Sequence, residues 1–216
     1  NNIYALIAGG VLTAVLVPHI VRAGAHADGG TAYINKIVTL GFMVFLVLAA
    51  IATLLAPLLV TLYAQEANPG QRGFSANDMA LATALAYWSL PQVLFYALYS
   101  LLGEVLNARK VFGPFTWAPV LNNLVFIAGL LIFNALFGNR DVTNAVEWTG
   151  SMVALLAGGA TAGIAAQAFI LLVFWRRAGV SYRPDFHWRG VGLAKTGRAA
   201  GWLFGMILLA QIAGVV

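Results

Sequence analysis

Cysteine is absent from this 216-residue chain, and charge is scarce: Asp, Glu, Lys and Arg together make up 9% of it. The first absence excludes a disulfide framework, a thiolate metal site and a cysteine nucleophile. The second excludes a water-soluble globule, because ordinary soluble domains carry about 25% charged residues and this chain lacks the polar surface to cover itself. A disordered tail and a nucleic-acid-binding module are excluded with it, since both need a solvated charged face. Histidine occurs three times, as His19, His26 and His187, at no spacing that suits a metal ion. HExxH, GxSxG and Walker A patterns do not occur, nor does a pair of aspartates within an apolar run. No catalytic residue, metal or cofactor is expected, and the chain is not expected to be an enzyme.

What is present is apolar: 61% hydrophobic residues and a mean hydropathy of +0.86. A membrane helix needs about 20 such residues to cross roughly 30 Å of hydrocarbon. Uncharged stretches run over Ile3–Val21, Ile37–Gln65, Met79–Gly103, Val111–Asn139, Trp148–Trp175 and Ala199–Val216. They are continuous rather than alternating, which predicts helices and not a β-barrel. The expected fold is all-α, a polytopic transmembrane bundle of about six helices. Ten of the twelve basic residues fall in the first, third and fifth connections: Arg22 to Lys36, Arg109 with Lys110, and Arg176 to Arg198. The positive-inside rule places those connections in the cytoplasm. Asn1-Asn2-Ile3 carries no secretory signal features and the last run is hydrophobic to Val216, so the chain reads as an internal fragment of a larger polytopic protein.

Within the spans, Pro91 and Pro119 predict bends, each freeing a backbone carbonyl one turn earlier, while Pro18 and Pro57 lie nearer the span ends. Gly159 with Gly163, and Gly197, Gly201 and Gly205, repeat at four-residue spacing, a helix-packing signal. Glu104 ends an uncharged run. It is a candidate cavity group or an interfacial carboxylate paired with Arg109 or Lys110. Asn107, Asn122, Asn123, Asn134, Gln92, Gln167 and Thr161 either line a polar cavity or hydrogen-bond between helices.

Gly103-Glu104-Val105-Leu106-Asn107-Ala108-Arg109-Lys110-Val111-Phe112, followed by Pro114, Pro119 and Asn123, resembles a signature of the MurJ/MviN lipid II flippases. Pro91 matches a proline of that family. The stretch from Ala8 to Pro18 resembles its second transmembrane helix, and Arg183 to Arg189 resembles the loop before its seventh. The likeness covers essentially the whole chain and is closest to actinobacterial-type members. It implies two six-helix lobes around a central cavity, as in the multidrug/oligosaccharidyl-lipid/polysaccharide exporter superfamily. Residues 1–192 would then be a partial N-lobe, helices two to six with a cytoplasmic loop, and 193–216 the start of the seventh helix.

The resemblance further implies flipping of the undecaprenyl-pyrophosphate-linked peptidoglycan precursor to the outer leaflet by alternating access, in the bacterial cytoplasmic membrane. The partners would be that precursor, membrane lipids and proteins of cell-wall synthesis and division, with no nucleic acid. Asn107, Arg109, Asn122, Asn123 and Glu104 are the substrate or cavity candidates, and Pro91 and Pro119 the hinge or gate candidates. The family's second helix often opens with a basic pair and has a Glu where this chain has Tyr4, Ala5 and Gly9. Glu104 stands where relatives often carry a small or neutral residue. Alternative expectations are an exporter of another lipid-linked saccharide or of drugs, and a non-transporting scaffold for cell-wall machinery. A membrane enzyme acting on polyprenyl lipids would need an acid–base or metal cluster that the sequence does not show.

Overall fold

The computed structural model describes residues 12–26, 28–66 and 74–188, and among them all regular structure is helical. The order is α1 (Leu12–Ala23), α2 (Thr31–Leu54), α3 (Ala56–Glu66), α4 (Ala76–Ser89), α5 (Gln92–Ala108), α6 (Gly113–Phe137), a 3-10 turn (Ala145–Glu147) and α7 (Gly150–Trp175). Four helical stretches are long and apolar enough to cross a membrane: α2, the α4–α5 run Ala76–Ala108, α6 and α7. At 1.5 Å per residue, the 24 residues of α2 alone reach about 36 Å, more than the hydrocarbon thickness. Large apolar side chains such as Leu54, Leu131, Leu136 and Val173 stay exposed on these helices, as lipid-facing residues must. Of the first expected span, residues 3–11 lie outside the described residues, and so does the whole of Ala199–Val216.

Charged residues do not end the helices as the uncharged runs imply. α2 begins ahead of Ile37 and carries Lys36 within it. α5 runs past Gly103 through Glu104 to Ala108. α4 begins ahead of Met79 because Ser75 and Asp78 form a capping box, with each side chain accepting from the other's backbone N–H at 3.2 and 3.0 Å.

Proline interrupts two of the expected spans. Ile37–Gln65 divides at Leu55, just before Pro57, and Met79–Gly103 divides at Leu90 and Pro91. Pro18 and Pro119 lie inside unbroken helices.

The chain divides into two compact units. Unit one takes Asn1–Val44, Ala97–Thr116 and Ile170–Val216; unit two takes Phe45–Tyr96 and Trp117–Phe169. Among the described residues, unit one holds seven basic residues against three acidic, and unit two holds one basic against four. The first, third and fifth connections all fall in unit one. Its core is Ile20, Ile34, Leu101, Leu106, Leu171 and Trp175, each at most 2% exposed. In unit two, α3 packs on α4, and α4 packs on the 3-10 turn.

Candidate functional site

The last turns of α5 carry three of the candidate residues, all in unit one. Glu104 is 5% exposed, within the buried run Leu101 to Leu106. Asn107 follows at i+3, on the same helix face, and is half-buried. The helix closes in a Schellman motif: Val111 N–H donates to Leu106 C=O and Lys110 N–H to Asn107 C=O, both at 2.9 Å. That motif requires a left-handed residue, and Lys110 supplies it at φ 59°.

The turn brings the Arg109 guanidinium to the first basic connection, where it donates to the carbonyl of Gly29. Gly29 and Gly30 adopt φ of 62° and 79°, a region glycine enters without steric cost. The Asp28 carboxylate accepts from the backbone N–H of Gly30 at 3.0 Å and Ala32 at 2.8 Å, at the start of α2. The Ala32 bond, then the Gly30 bond, hold its carboxyl below the ordinary 3.8. Arg109 therefore ties the end of α5 to the start of α2.

α7 closes with a second Schellman motif, Val180 N–H to Trp175 C=O at 3.0 Å and Gly179 N–H to Arg176 C=O at 3.2 Å, with Gly179 at φ 70°. The chain beyond it runs along α2. Arg183 N–H donates to Asn35 Oδ1 at 3.2 Å, and Asp185 N–H to Thr39 Oγ1 at 3.1 Å. The Thr39 hydroxyl donates its own hydrogen to Asn35 C=O at 2.7 Å, so the Tyr182 hydroxyl, 3.2 Å away, is the donor of that pair. Asn35 and Thr39 are buried, and the Tyr182 ring meets buried Trp175 edge-on at 6.0 Å. The Asp185 carboxyl is held low chiefly by the His187 backbone N–H, with smaller help from Lys36. Arg176, Arg177 and Arg183 remain exposed, Arg177 lying 5.2 Å over the Phe174 ring.

Unit two holds the other candidates. The break at Pro91 leaves the Trp88 carbonyl to accept from Thr161 Oγ1 of α7 at 2.7 Å, and Gln92 Nε2 donates to the same hydroxyl at 2.9 Å. Gly158, one turn before Thr161, lets the Trp88 ring approach: a Cβ there would stand 3.1 Å from the ring. These are the helix-to-helix hydrogen bonds that a proline break in a membrane calls for. Asn122 is half-buried against α7, where a Cβ on Gly163 would overlap its side-chain oxygen, whereas Gly159 faces open space. Asn123 is exposed. Pro119 leaves the carbonyl of Phe115 without its helical donor, and the Tyr99 hydroxyl of α5 donates to it at 2.8 Å.

A family model described as MurJ, lipid II flippase MurJ, matches residues 1–216. The chain belongs to the MurJ lipid II flippase family.

Two curated relatives, from Haemophilus influenzae and Rickettsia prowazekii, are each named "Probable lipid II flippase MurJ". The first is 28% identical over 123 residues, 57% of this chain and 22% of the relative. The second is 25% identical over 186 residues, 84% of this chain and 32% of the relative. The chain thus spans about a third or less of the length of these relatives. Membership of this family, together with four helices among the described residues that are fit to cross a bilayer, marks a membrane protein.

Among the described residues, no group of three or more His, Asp or Glu side chains is placed to hold a metal ion. Sequence reasoning missed Asn35 and Thr39, because Lys36 stands between them and left Asn35 in the first connection and Thr39 in the uncharged run. The available signal was a polar pair at i, i+4 at the end of a long apolar helix.

Proposed function

We propose that this chain works as part of a lipid II flippase in the bacterial cytoplasmic membrane. That protein would carry the undecaprenyl-pyrophosphate-linked peptidoglycan precursor from the inner to the outer leaflet by alternating access. Family membership over residues 1–216 carries this reading. The charge asymmetry supports an orientation for it: the first, third and fifth connections, which carry ten of the twelve basic residues, face the cytoplasm. Glu104 and Asn107 on α5 in unit one, and separately Asn122 and Asn123 on α6 in unit two, are the candidate polar groups for the head group. Arg109, held on the Gly29 carbonyl, ties the first connection to the end of α5 that carries Glu104 and Asn107. Pro91 is the hinge, since the α4–α5 run is already broken there and one α7 hydroxyl serves the broken ends. Pro119, in an unbroken helix, is the second hinge candidate.

The test is complementation by the full-length gene in cells depleted of their own lipid II flippase, with expression controlled. The measurement is the amount of lipid-linked precursor accessible at the outer leaflet. Restored exposure is expected from the wild type, and a several-fold smaller recovery from Pro91→Ala at equal expression. Well-expressed wild-type protein that restores none would shift the reading to another lipid-linked saccharide, a drug, or a scaffold without transport. Unchanged flipping by Pro91→Ala would remove the hinge.

A further inference from the structure

The contacts between α2 and the segment after α7 have the geometry of a releasable strap. Asn35 and Thr39 stand four residues apart on one face of α2, about 6 Å along the helix. The N–H groups of Arg183 and Asp185 are two residues apart, about 6.6 Å along extended chain. The two spacings match, so both donors reach both acceptors in a single register. Pro184 between them favours extended backbone at Arg183 and has no N–H of its own to satisfy.

The strap is held by hydrogen bonds and by the edge-on contact of the Tyr182 ring with Trp175. Ser181, Arg183, Pro184, Phe186 and His187 are exposed, and the hydrogen bonds that dock the chain join uncharged groups, each of modest net strength. The notch is also self-sufficient: with the strap gone, the Thr39 hydroxyl keeps its bond to Asn35 C=O, so its hydrogen is not orphaned. Docking is therefore specific in register yet inexpensive to undo.

Resting on the flippase reading above, we infer that Asn35 and Thr39 are positioning residues forming the notch of a latch. In this inference, residues 182–185 occupy the notch in one state of the transport cycle and leave it in the other.

These 216 residues carry no cysteine, so the test uses the full-length protein with any cysteine outside them replaced by serine. Asn35→Cys with Arg183→Cys places two thiols at the notch, within reach of a short bifunctional thiol reagent. The reagent is expected to cross-link the pair, cut flipping at least tenfold, and release that block when the link is reduced. Failure to cross-link would overturn the docking, and full activity of the cross-linked protein would overturn the release. If the wild type flips no lipid II, the flippase reading fails separately. The latch is then judged by maleimide labelling of Asn35→Cys, expected several-fold faster with Thr39→Val added and unchanged with Thr39→Ser. Equal labelling in all three would overturn it.

Discussion

Unit one and unit two share the same long helices but differ in how they satisfy polar groups. In unit one, among the described residues, seven basic side chains face three acidic ones, and the connections between helices are tied to the helices themselves. Arg109 holds the Gly29 carbonyl, and Asn35 and Thr39 hold the chain after α7. In unit two the balance reverses to one basic and four acidic, and the polar contacts that matter join helix to helix at a proline. A charged end can anchor its loops with side-chain bonds because water and headgroups tolerate the arrangement while it forms. Helix breaks inside hydrocarbon have no such solvent, so another helix must supply the donor.

The two interior prolines compare such helix-to-helix bonds directly, one set in unit two and one, Tyr99 to Phe115, within unit one. At Pro91 the helix parts, and Thr161 both donates to Trp88 C=O and accepts from Gln92 Nε2. At Pro119 the helix continues, and the single donor is the Tyr99 hydroxyl. Thr161→Val keeps the branched shape but strands a carbonyl and an amide, and should cost about 1–3 kcal/mol. Tyr99→Phe strands one carbonyl and should cost about 1 kcal/mol. Unfolding of the full-length protein in detergent measures both. A Tyr99→Phe loss equal to or larger than that of Thr161→Val would remove the distinction between the two sites.

How far the fold could be read from sequence follows from the same chemistry. Apolar runs and proline positions are local properties, so the membrane helices and the break at Pro91 were legible. Helix ends were not, because a lipid-spanning helix continues through Lys36 and Glu104 once their charges reach an interface or a buried setting. The freed carbonyl at Pro119 was expected, but its donor lies sixteen residues earlier on another helix. Asn122 reads equally as cavity or packing in sequence, and only the approach of Gly163 places it against α7. The Asn35–Thr39 notch was illegible for a further reason: its partners are backbone N–H groups, which every residue but proline carries.

Within unit one, the two Schellman turns give a smaller contrast. Gly179 and Lys110 occupy the same left-handed position, at φ 70° and 59°, one without a Cβ and one with. Left-handed backbone costs an L-residue about 1–2 kcal/mol. Lys110→Gly should therefore raise stability by up to about 1 kcal/mol, offset in part by greater freedom of the unfolded chain. Gly179→Ala should lower it by about 1 kcal/mol. Unfolding midpoints of the two variants should move in opposite directions, and a common direction would show that the backbone at these turns is not what decides.

The smallest effect separates two aspartates, one in each unit. Asp28 accepts from Ala32 and Gly30 at the start of α2, whereas Asp141 accepts from the N–H and hydroxyl of Thr143 in the α6–α7 connection. Both carboxyls are held below 3.8, Asp28 chiefly by the Ala32 N–H and Asp141 chiefly by the Thr143 hydroxyl. A lowered folded value means that each ionised group stabilises fully above 3.8 and loses that contribution as pH falls through its folded value. Only Asp28 supports a membrane helix, since it accepts from an N–H in the first turn of α2 that has no helical acceptor. Asp28→Ala should therefore lower the unfolding midpoint slightly at neutral pH, with the gap to wild type closing in acid. Asp141→Ala should leave a smaller gap at neutral pH, because the turn it closes serves no spanning helix. A gap for Asp28→Ala that persists below its folded value would mean the side chain acts by packing rather than by charge. Two equal gaps would mean that a helix start in unit one gains no more from its carboxylate than a surface turn in unit two.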